Sequence, residues 1–410
     1  MKVLVGNTNL RVAIAGAGPA GSSLAIRLAD RGFDVTIIER ERFPRHKLCG
    51  EFISPECFSH FEDLGILDNI LSAGAERISE TRFYDRRGHG FSVPSRVFAG
   101  CGFALSLSRS ALDARLLLRA RQGGTNVYEG HRITNVHMDG DRIAFVKAVG
   151  EGGAQRCFEA DIFVDATGRS RVLSKLAGRS GTGGPKRLKA KRPIALGFKN
   201  HLSDTSISPE TCEIYSFPGG YGGLTTVEDG TANLCFLMDP RAARKVGTDP
   251  NVLLKKAVCL NRRAAETLDR ARPTCEWLAV SVNEFGRAAA ASARNLFNVG
   301  DSAAFIDPFT GSGILMALES ATLLASAISD HPEMIENAKR DYDASHRETF
   351  SRRLRICSLL RRTAFVPVVP TLAIRSLEFS RRGRNYVARS TRQARTRDSG
   401  SNQSDRISLT

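Results

Sequence analysis

The sequence predicts an α/β protein of the three-layer ββα type: a parallel-stranded framework, interrupted by a mostly antiparallel sheet and followed by a helical C-terminal tail. Three observations predict it. Short apolar runs end in glycine turns at three distant places, residues 12–21, 161–168 and 296–313. Between about 193 and 285 the apolar residues recur with period two, the mark of half-buried strands. Beyond residue 345 the pattern turns helical and strongly basic.

The first turn carries the most information. Val12-Ala-Ile-Ala-Gly16-Ala-Gly18-Pro-Ala20-Gly21 is an apolar strand followed by G-x-G-x-x-G. Gly16 permits a tight turn, and Gly18 lets the backbone approach a pyrophosphate. Gly21, with the small Ala20 before it, lets the next helix pack close to the strand. Unpaired N–H groups at that helix start favour an anion. Ser22 to Arg31 reads as the helix, and Gly32 stops it. Phe33 to Ile38 reads as a second strand ending at Glu39, with Arg40 beside it as a further candidate cofactor contact. Glu39 lies 18 residues beyond Gly21, where a Rossmann-like fold needs a carboxylate for a ribose. Alone, this loop leaves NAD, NADP and FAD open.

At 410 residues the chain can bury a large core and form two domains or one elaborated one. No run reaches the roughly 18 uninterrupted apolar residues of a spanning helix. The first residues do not make a secretory signal, so a cytoplasmic protein is expected. Nine scattered cysteines without a C-x-x-C pair argue against a disulfide framework and a zinc site, and no metal is expected. The net charge of +16 is uneven. Residues 351–397 hold thirteen arginines and one acid, Glu378, which leaves the other 363 residues at +4.

The elements follow in order. Arg40 to Glu51 reads as a charged loop, Pro55 to Leu71 as a helix and residues 76–98 as short strands. Ala111 to Arg121 reads as a helix beginning just after Arg109. Residues 126–160 read as a strand and a meander turned at Asp139-Gly-Asp141, and Asp161 to Asp165 as a buried strand. Residues 177–192, rich in Gly, Lys and Arg, read as a loop. Strands are expected near 194–199, 212–217, 222–227, 232–238 and 276–282, with a helix over 250–269. Leu296 to Gly300 returns to the framework, and Ile314 to Ser329 is a helix. The chain thus divides into framework segments 1–75, 101–176 and 289–345, inserted-sheet segments 76–100 and 177–288, a basic helical tail 346–397 and a disordered end 398–410.

Three glycine turns capping apolar strands, together with Arg109 at a helix start, resemble the FAD-binding framework of the p-hydroxybenzoate hydroxylase-like flavoproteins. The resemblance runs from residue 11 to about 330. It implies FAD, since contacts so far apart in the chain suit a long extended dinucleotide. It implies that Arg109 approaches the pyrophosphate, that Asp165 and Gly168 form a second fingerprint nearby, and that Gly300 and Asp301 meet the ribityl chain. Pro308 would lie beside the isoalloxazine, and backbone N–H groups of Gly311, Gly313 and Ile314 would face the flavin pyrimidine edge. NAD(P)H is implied only as a transient electron donor, because no second G-x-G-x-x-G follows a strand.

Pro44-Arg-His-Lys47-Leu-Cys49-Gly50 narrows the branch, for it resembles the P-x-x-K-x-C-G signature of geranylgeranyl reductases. That branch implies hydride transfer from reduced FAD to a C=C bond of a hydrophobic, isoprenoid- or polyketide-like substrate. Cys49 would lie near the flavin as a proton donor or pocket residue, and Lys47 at the FAD phosphates. Cys49 and Pro308 are the candidate catalytic residues, and Phe217 and Tyr221 the candidate substrate contacts. The chain lacks the tryptophan motif usual in the reductases. It also lacks the Trp-x-Trp-x-x-Pro element and catalytic-lysine segment of flavin halogenases, so halogenation is not expected. The alternative is a monooxygenase hydroxylating an aromatic, polyketide or quinone-like substrate through a flavin hydroperoxide. A third reading is a non-catalytic flavoprotein acting through its tail. The tail, basic and amphipathic near Leu354 to Arg362, suits peripheral binding to the anionic inner face of a membrane. Little aromatic interleaving and no nucleic-acid motif speak against nucleic acid.

Overall fold

The computed structural model describes residues 10–98, 100–180, 192–364 and 369–390. The expected disordered end, 398–410, lies outside the described residues, as does most of the expected loop over 177–192. Residues 177–180 close a helix, Val172–Ser180, that the sequence pattern did not announce.

The framework is a five-stranded parallel sheet in the order Leu296–Asn298, Ile162–Asp165, Arg11–Ala15, Asp34–Ile38, Asn126–Tyr128. Alternation decides its two faces. Val12 and Ile14 pack toward the helices Pro19–Ala29, Arg109–Gln122 and Gly313–Asp330. Ala13 and Ala15 point the other way, onto Val136 and Val146 of a three-stranded antiparallel meander. That is the three-layer ββα arrangement. The first strand sits centrally, so its glycine loop opens at the carboxyl edge of the sheet, where ligands of such folds bind.

The second layer system is an eight-stranded sheet. Ala195–Ser203, Ala232–Met238, Gly220–Thr226 and Thr211–Phe217 pair antiparallel, and Thr211–Phe217 then pairs parallel with Glu80–Tyr84. Gly90–Pro94, Leu278–Val282 and Arg272–Pro273 complete it. A small sheet of Phe52–Ile53, Ala104–Ser106 and Glu76–Ile78 joins the two systems.

Two expected helices are broken. The one over 250–269 is Pro250–Lys256 and Arg262–Thr267, joined by a 3₁₀ turn, because Asp249 and Asn261 each cap a separate start. The one over 55–71 is Cys57–Asp63 and Leu67–Leu71, interrupted where Gly65 takes φ 67°. Gly313–Asp330 is long and apolar enough, by composition, to cross a membrane. Here it packs inside the framework core. The tail forms Ile335–Ala364, Val369–Glu378 and Arg381–Ser390. The buried Arg353 anchors the first of these, donating to both carboxylate oxygens of Glu319 at 2.7 and 3.2 Å.

Candidate active site

A cavity of about 1040 Å³ runs from the glycine loop, along the carboxyl edge of the parallel sheet, to the inner face of the eight-stranded sheet. At two positions of the glycine loop the backbone leaves no choice of residue. Gly16 has φ 101°, and a Cβ there would lie 2.6 Å from the Ala166 carbonyl oxygen. A Cβ on Gly21 would lie 1.9 Å from the Gly16 oxygen. At Gly18 only the Arg109 guanidinium comes near, at 3.8 Å, so this backbone faces the cavity. Glu39 is buried at the cavity edge; its two oxygens accept the Ala17 and Glu41 N–H groups at 2.7 and 2.9 Å, which shapes the loop. Ala20 and Arg40 line the same end.

Cations gather there. Arg109 is the first residue of its helix because Ser108 caps it, accepting from the Ala111 N–H. Its guanidinium grips Asp113 through two bonds of 2.8 and 2.7 Å and touches the Cys49 thiol. Burial opposes its charge, but Asp113 more than offsets that and raises its pKa. Arg45 reaches the same Asp113 at 3.3 Å. Lys47 stands on the open cavity wall, yet the protein around it strips away water and Arg45, Arg109 and Arg40 repel it, lowering its pKa to about 8. Asp301 also faces the cavity. Burial pushes its carboxyl up, against the pull of Arg169, Arg109 and Lys47, and it meets no hydrogen-bond donor among the described residues. The start of Gly313–Asp330 opens beside it, with Gly311, Gly313 and Ile314 on the wall. This end fits FAD: two helix starts and several cations for a diphosphate, and one orphan carboxylate for a hydroxylated chain.

Four expected residues do not line the cavity. Asp165 is turned inward, accepting from Thr167 N–H and Oγ1, Ser174 N–H and Ser302 Oγ at 3.1, 2.6, 2.9 and 3.3 Å. It builds the turn that presents Gly168, which does line the wall. Gly21 and Gly300 shape backbone; the Gly300 N–H is spent on Ser320 Oγ at 2.9 Å. Phe217 packs into the core of the eight-stranded sheet, edge-on to Phe236, because its strand register turns it from the cavity.

The other end is apolar. Phe83 stacks on Phe91 at 5.1 Å and meets Phe309 at 5.8 Å, with Val93, Ile214, Leu237 and Val280 around them. Cys49, Pro308 and Tyr221 line the cavity, and Cys49 is held between the Arg109 guanidinium of the cationic end and Asn233 of the eight-stranded sheet. The Tyr221 hydroxyl donates to Asp307, and burial, reinforced by that carboxylate, raises its pKa well above the usual range. Asp307 also accepts the Phe309 N–H at 3.0 Å, so Tyr221 holds the turn that carries Pro308.

Glu51 ties the two ends together. Its backbone is strained at φ 56°, and its side chain is fully buried. The carboxylate accepts from the Arg109 N–H at 2.8 Å, from His201 Nε2 at 2.7 Å and from Lys199 Nζ. Lys199 also donates to the Lys47 carbonyl at 3.2 Å, and Asn233 Nδ2 to the Cys49 carbonyl at 3.1 Å. Burial would raise the Glu51 carboxyl, but His201 and Lys199 outweigh it and lower it. The P-x-x-K-x-C-G loop is thereby pinned to the eight-stranded sheet. Sequence reasoning passed over Glu51, Lys199, His201, Asp307 and Arg169. The available signal was Lys199-Asn200-His201, three polar residues in a strand otherwise patterned for burial.

The family model described as FAD binding domain matches residues 9–341. A flavin-dependent halogenase of Armillaria mellea is 27% identical over 78% of this chain and 65% of its own length, so this chain spans just under two thirds of that relative. A menaquinone reductase of Mycolicibacterium smegmatis is 23% identical over 90% of this chain and 89% of its own. A digeranylgeranylglycerophospholipid reductase of Methanosarcina acetivorans is 26% identical over 82% and 80%. Among solved structures, a geranylgeranyl bacteriochlorophyll reductase-like protein of Thermoplasma acidophilum shares the fold, with a TM-score of 0.76, 19% identity and coverage of 94% of this chain and 96% of that one. Glycine loop, cation cluster and orphan carboxylate thus stand within a family match that covers most of the chain, and the chain belongs to the FAD binding domain family.

Proposed function

We propose that the protein is an FAD-dependent reductase that saturates a C=C bond in a long hydrophobic substrate of isoprenoid or polyketide type. The carrying observation is the loop Pro44 to Glu51: Lys47 stands at the cationic end of the cavity, and Cys49 is held between that end and the eight-stranded sheet. Two relatives named as reductases, of menaquinone and of a digeranylgeranyl lipid, match most of their own length and support this reading. The Trp-x-Trp-x-x-Pro element of flavin halogenases has no counterpart in the sequence. Lys199, moreover, keeps its amine on Glu51 and the Lys47 carbonyl, off the cavity wall.

Held by Gly18, Lys47, Arg109 and Asp301, a bound reduced FAD would supply the hydride, with NAD(P)H as the source of its two electrons. The residues do the rest. Phe83, Phe91 and Phe309 exclude water and hold the alkene. The Cys49 thiol gives its proton to the carbon that the hydride does not reach, and the charge left on sulfur faces the Arg109 guanidinium. Pro308 and the turn held by Tyr221 and Asp307 set the floor against which the double bond lies.

The test is anaerobic. Holoenzyme is reduced with NADPH and mixed with menaquinone or a geranylgeranyl lipid, and flavin absorbance and product mass are followed. Flavin reoxidation with two hydrogens added to a C=C bond, a mass gain that survives reoxidation of any quinol in air, supports the proposal. Turnover that requires O₂ and adds oxygen replaces it with monooxygenation, and turnover that requires halide and O₂ replaces it with halogenation. Cys49→Ala should slow the reductive step without changing flavin content.

A further inference from the structure

We propose that the helix pair Val369–Glu378 and Arg381–Ser390 roofs the apolar end of the cavity and docks the protein on an anionic lipid bilayer, setting the cavity mouth against the membrane. The proposal rests on the reading of a long hydrophobic substrate.

Each helix has two faces. Ala373, Ile374 and Leu377 of the first, and Arg384, Val387 and Ala388 of the second, lie on the cavity wall. Spacings of one, three and four put each trio on one side of its helix. The pair rests on the strand Gly90–Pro94 and the turn after it, where Arg389 Nε donates to the Val97 carbonyl at 3.4 Å. The outer side is different. The four most exposed large hydrophobic side chains among the described residues are Phe379, Tyr386, Leu359 and Leu372, and all belong to the C-terminal helices or, for Phe379, to the turn between the last two. Phe379, Tyr386 and Leu372, on or beside the pair, are 88, 72 and 62% exposed. Among them stand Arg375, Arg381 and Arg382, all exposed. The two helices carry five arginines against one acid, Glu378.

In water these apolar groups contribute nothing to stability. At a bilayer interface they become buried among acyl chains while the arginines meet lipid phosphates, each basic residue adding about 1 kcal/mol. A nucleic acid or an acidic protein would satisfy the arginines but leave Phe379 and Leu372 in water, so the charge and the apolar groups together select lipid. Because the same helices form the roof, a substrate dissolved in the bilayer reaches the cavity without crossing water.

The full-length holoprotein is sedimented with phosphatidylcholine vesicles, with and without phosphatidylglycerol. It is expected to pellet only with the anionic vesicles. Arg375→Glu, Arg381→Glu and Arg382→Glu combined should weaken that binding about a hundredfold, with flavin absorbance and melting temperature unchanged. Phe379→Trp, in a Trp277→Phe background, should shift its emission to the blue on vesicle addition. Equal sedimentation of the triple variant, no emission shift, or binding to a duplex oligonucleotide or an acidic protein in place of vesicles overturns the docking. C=C reduction of a detergent-solubilised geranylgeranyl lipid, followed by product mass, separates the two proposals. If it persists without vesicle binding, only the docking fails; if it is absent while vesicle binding holds, only the reductase reading fails.

Discussion

The two ends of the cavity are made of different material. The glycine-loop end is backbone and charge: two helix starts, Gly16 and Gly18, and the cations Arg45, Lys47 and Arg109. The far end is side chains: Phe83, Phe91, Val93 and Phe309 on an antiparallel sheet. The turn itself admits almost no substitution, because one added carbon at Gly16 or Gly21 meets backbone oxygen. A side-chain wall can be rebuilt residue by residue on the same sheet.

The largest effect should come from breaking the first end. Gly21→Val places atoms inside contact distance of the Gly16 carbonyl, and the purified protein should be colourless while its eight-stranded sheet still folds; retained flavin absorbance contradicts this. Next comes the junction. Lys199→Met leaves the buried Glu51 charge short of a partner and should cost about 3–5 kcal/mol of stability. Adding Glu51→Gln should recover part of that loss, and purely additive melting data would show that the pair is uncoupled.

Phe83→Ala tests the second end alone. Losing a half-buried phenyl should weaken an apolar substrate by about 2 kcal/mol, read as a raised KM with an unchanged Kd for FAD. A parallel change in both would mean that the ends are not independent. The smallest effect concerns Lys47. In the ligand-free protein it loses its proton near pH 8. A bound diphosphate favours the charged amine and raises that pKa, so FAD affinity should fall as pH rises through 8, with proton uptake on binding above it. Lys47→Met should flatten this dependence, measured by flavin fluorescence titration; an unchanged slope places the titrating group elsewhere.

Legibility followed distance along the chain. The glycine loop, its helix and Glu39 lie within 30 residues and form one local unit, so spacing alone outlines them. Glu51 and Lys199 are 148 residues apart, and nothing local marks either as the other's partner. Asp165 and Asp301 make the point most sharply. Both are acids at the end of an apolar strand, before a glycine or serine turn. Asp165 is captured by Thr167, Ser174 and Ser302, whereas Asp301 keeps its carboxylate toward the cavity.

What the sequence by itself determined is the parallel framework, the pyrophosphate loop and the cofactor class, because these rest on backbone conformation and short-range pattern. What only the tertiary structure decided is which side chains look into the cavity. Phe217 turns away and Tyr221 turns in, although both belong to one hairpin, because strand register sets the facing. The buried Glu51, Lys199 and His201 meet only when the eight-stranded sheet closes on the loop, and a helix pair from the far end of the chain completes the roof.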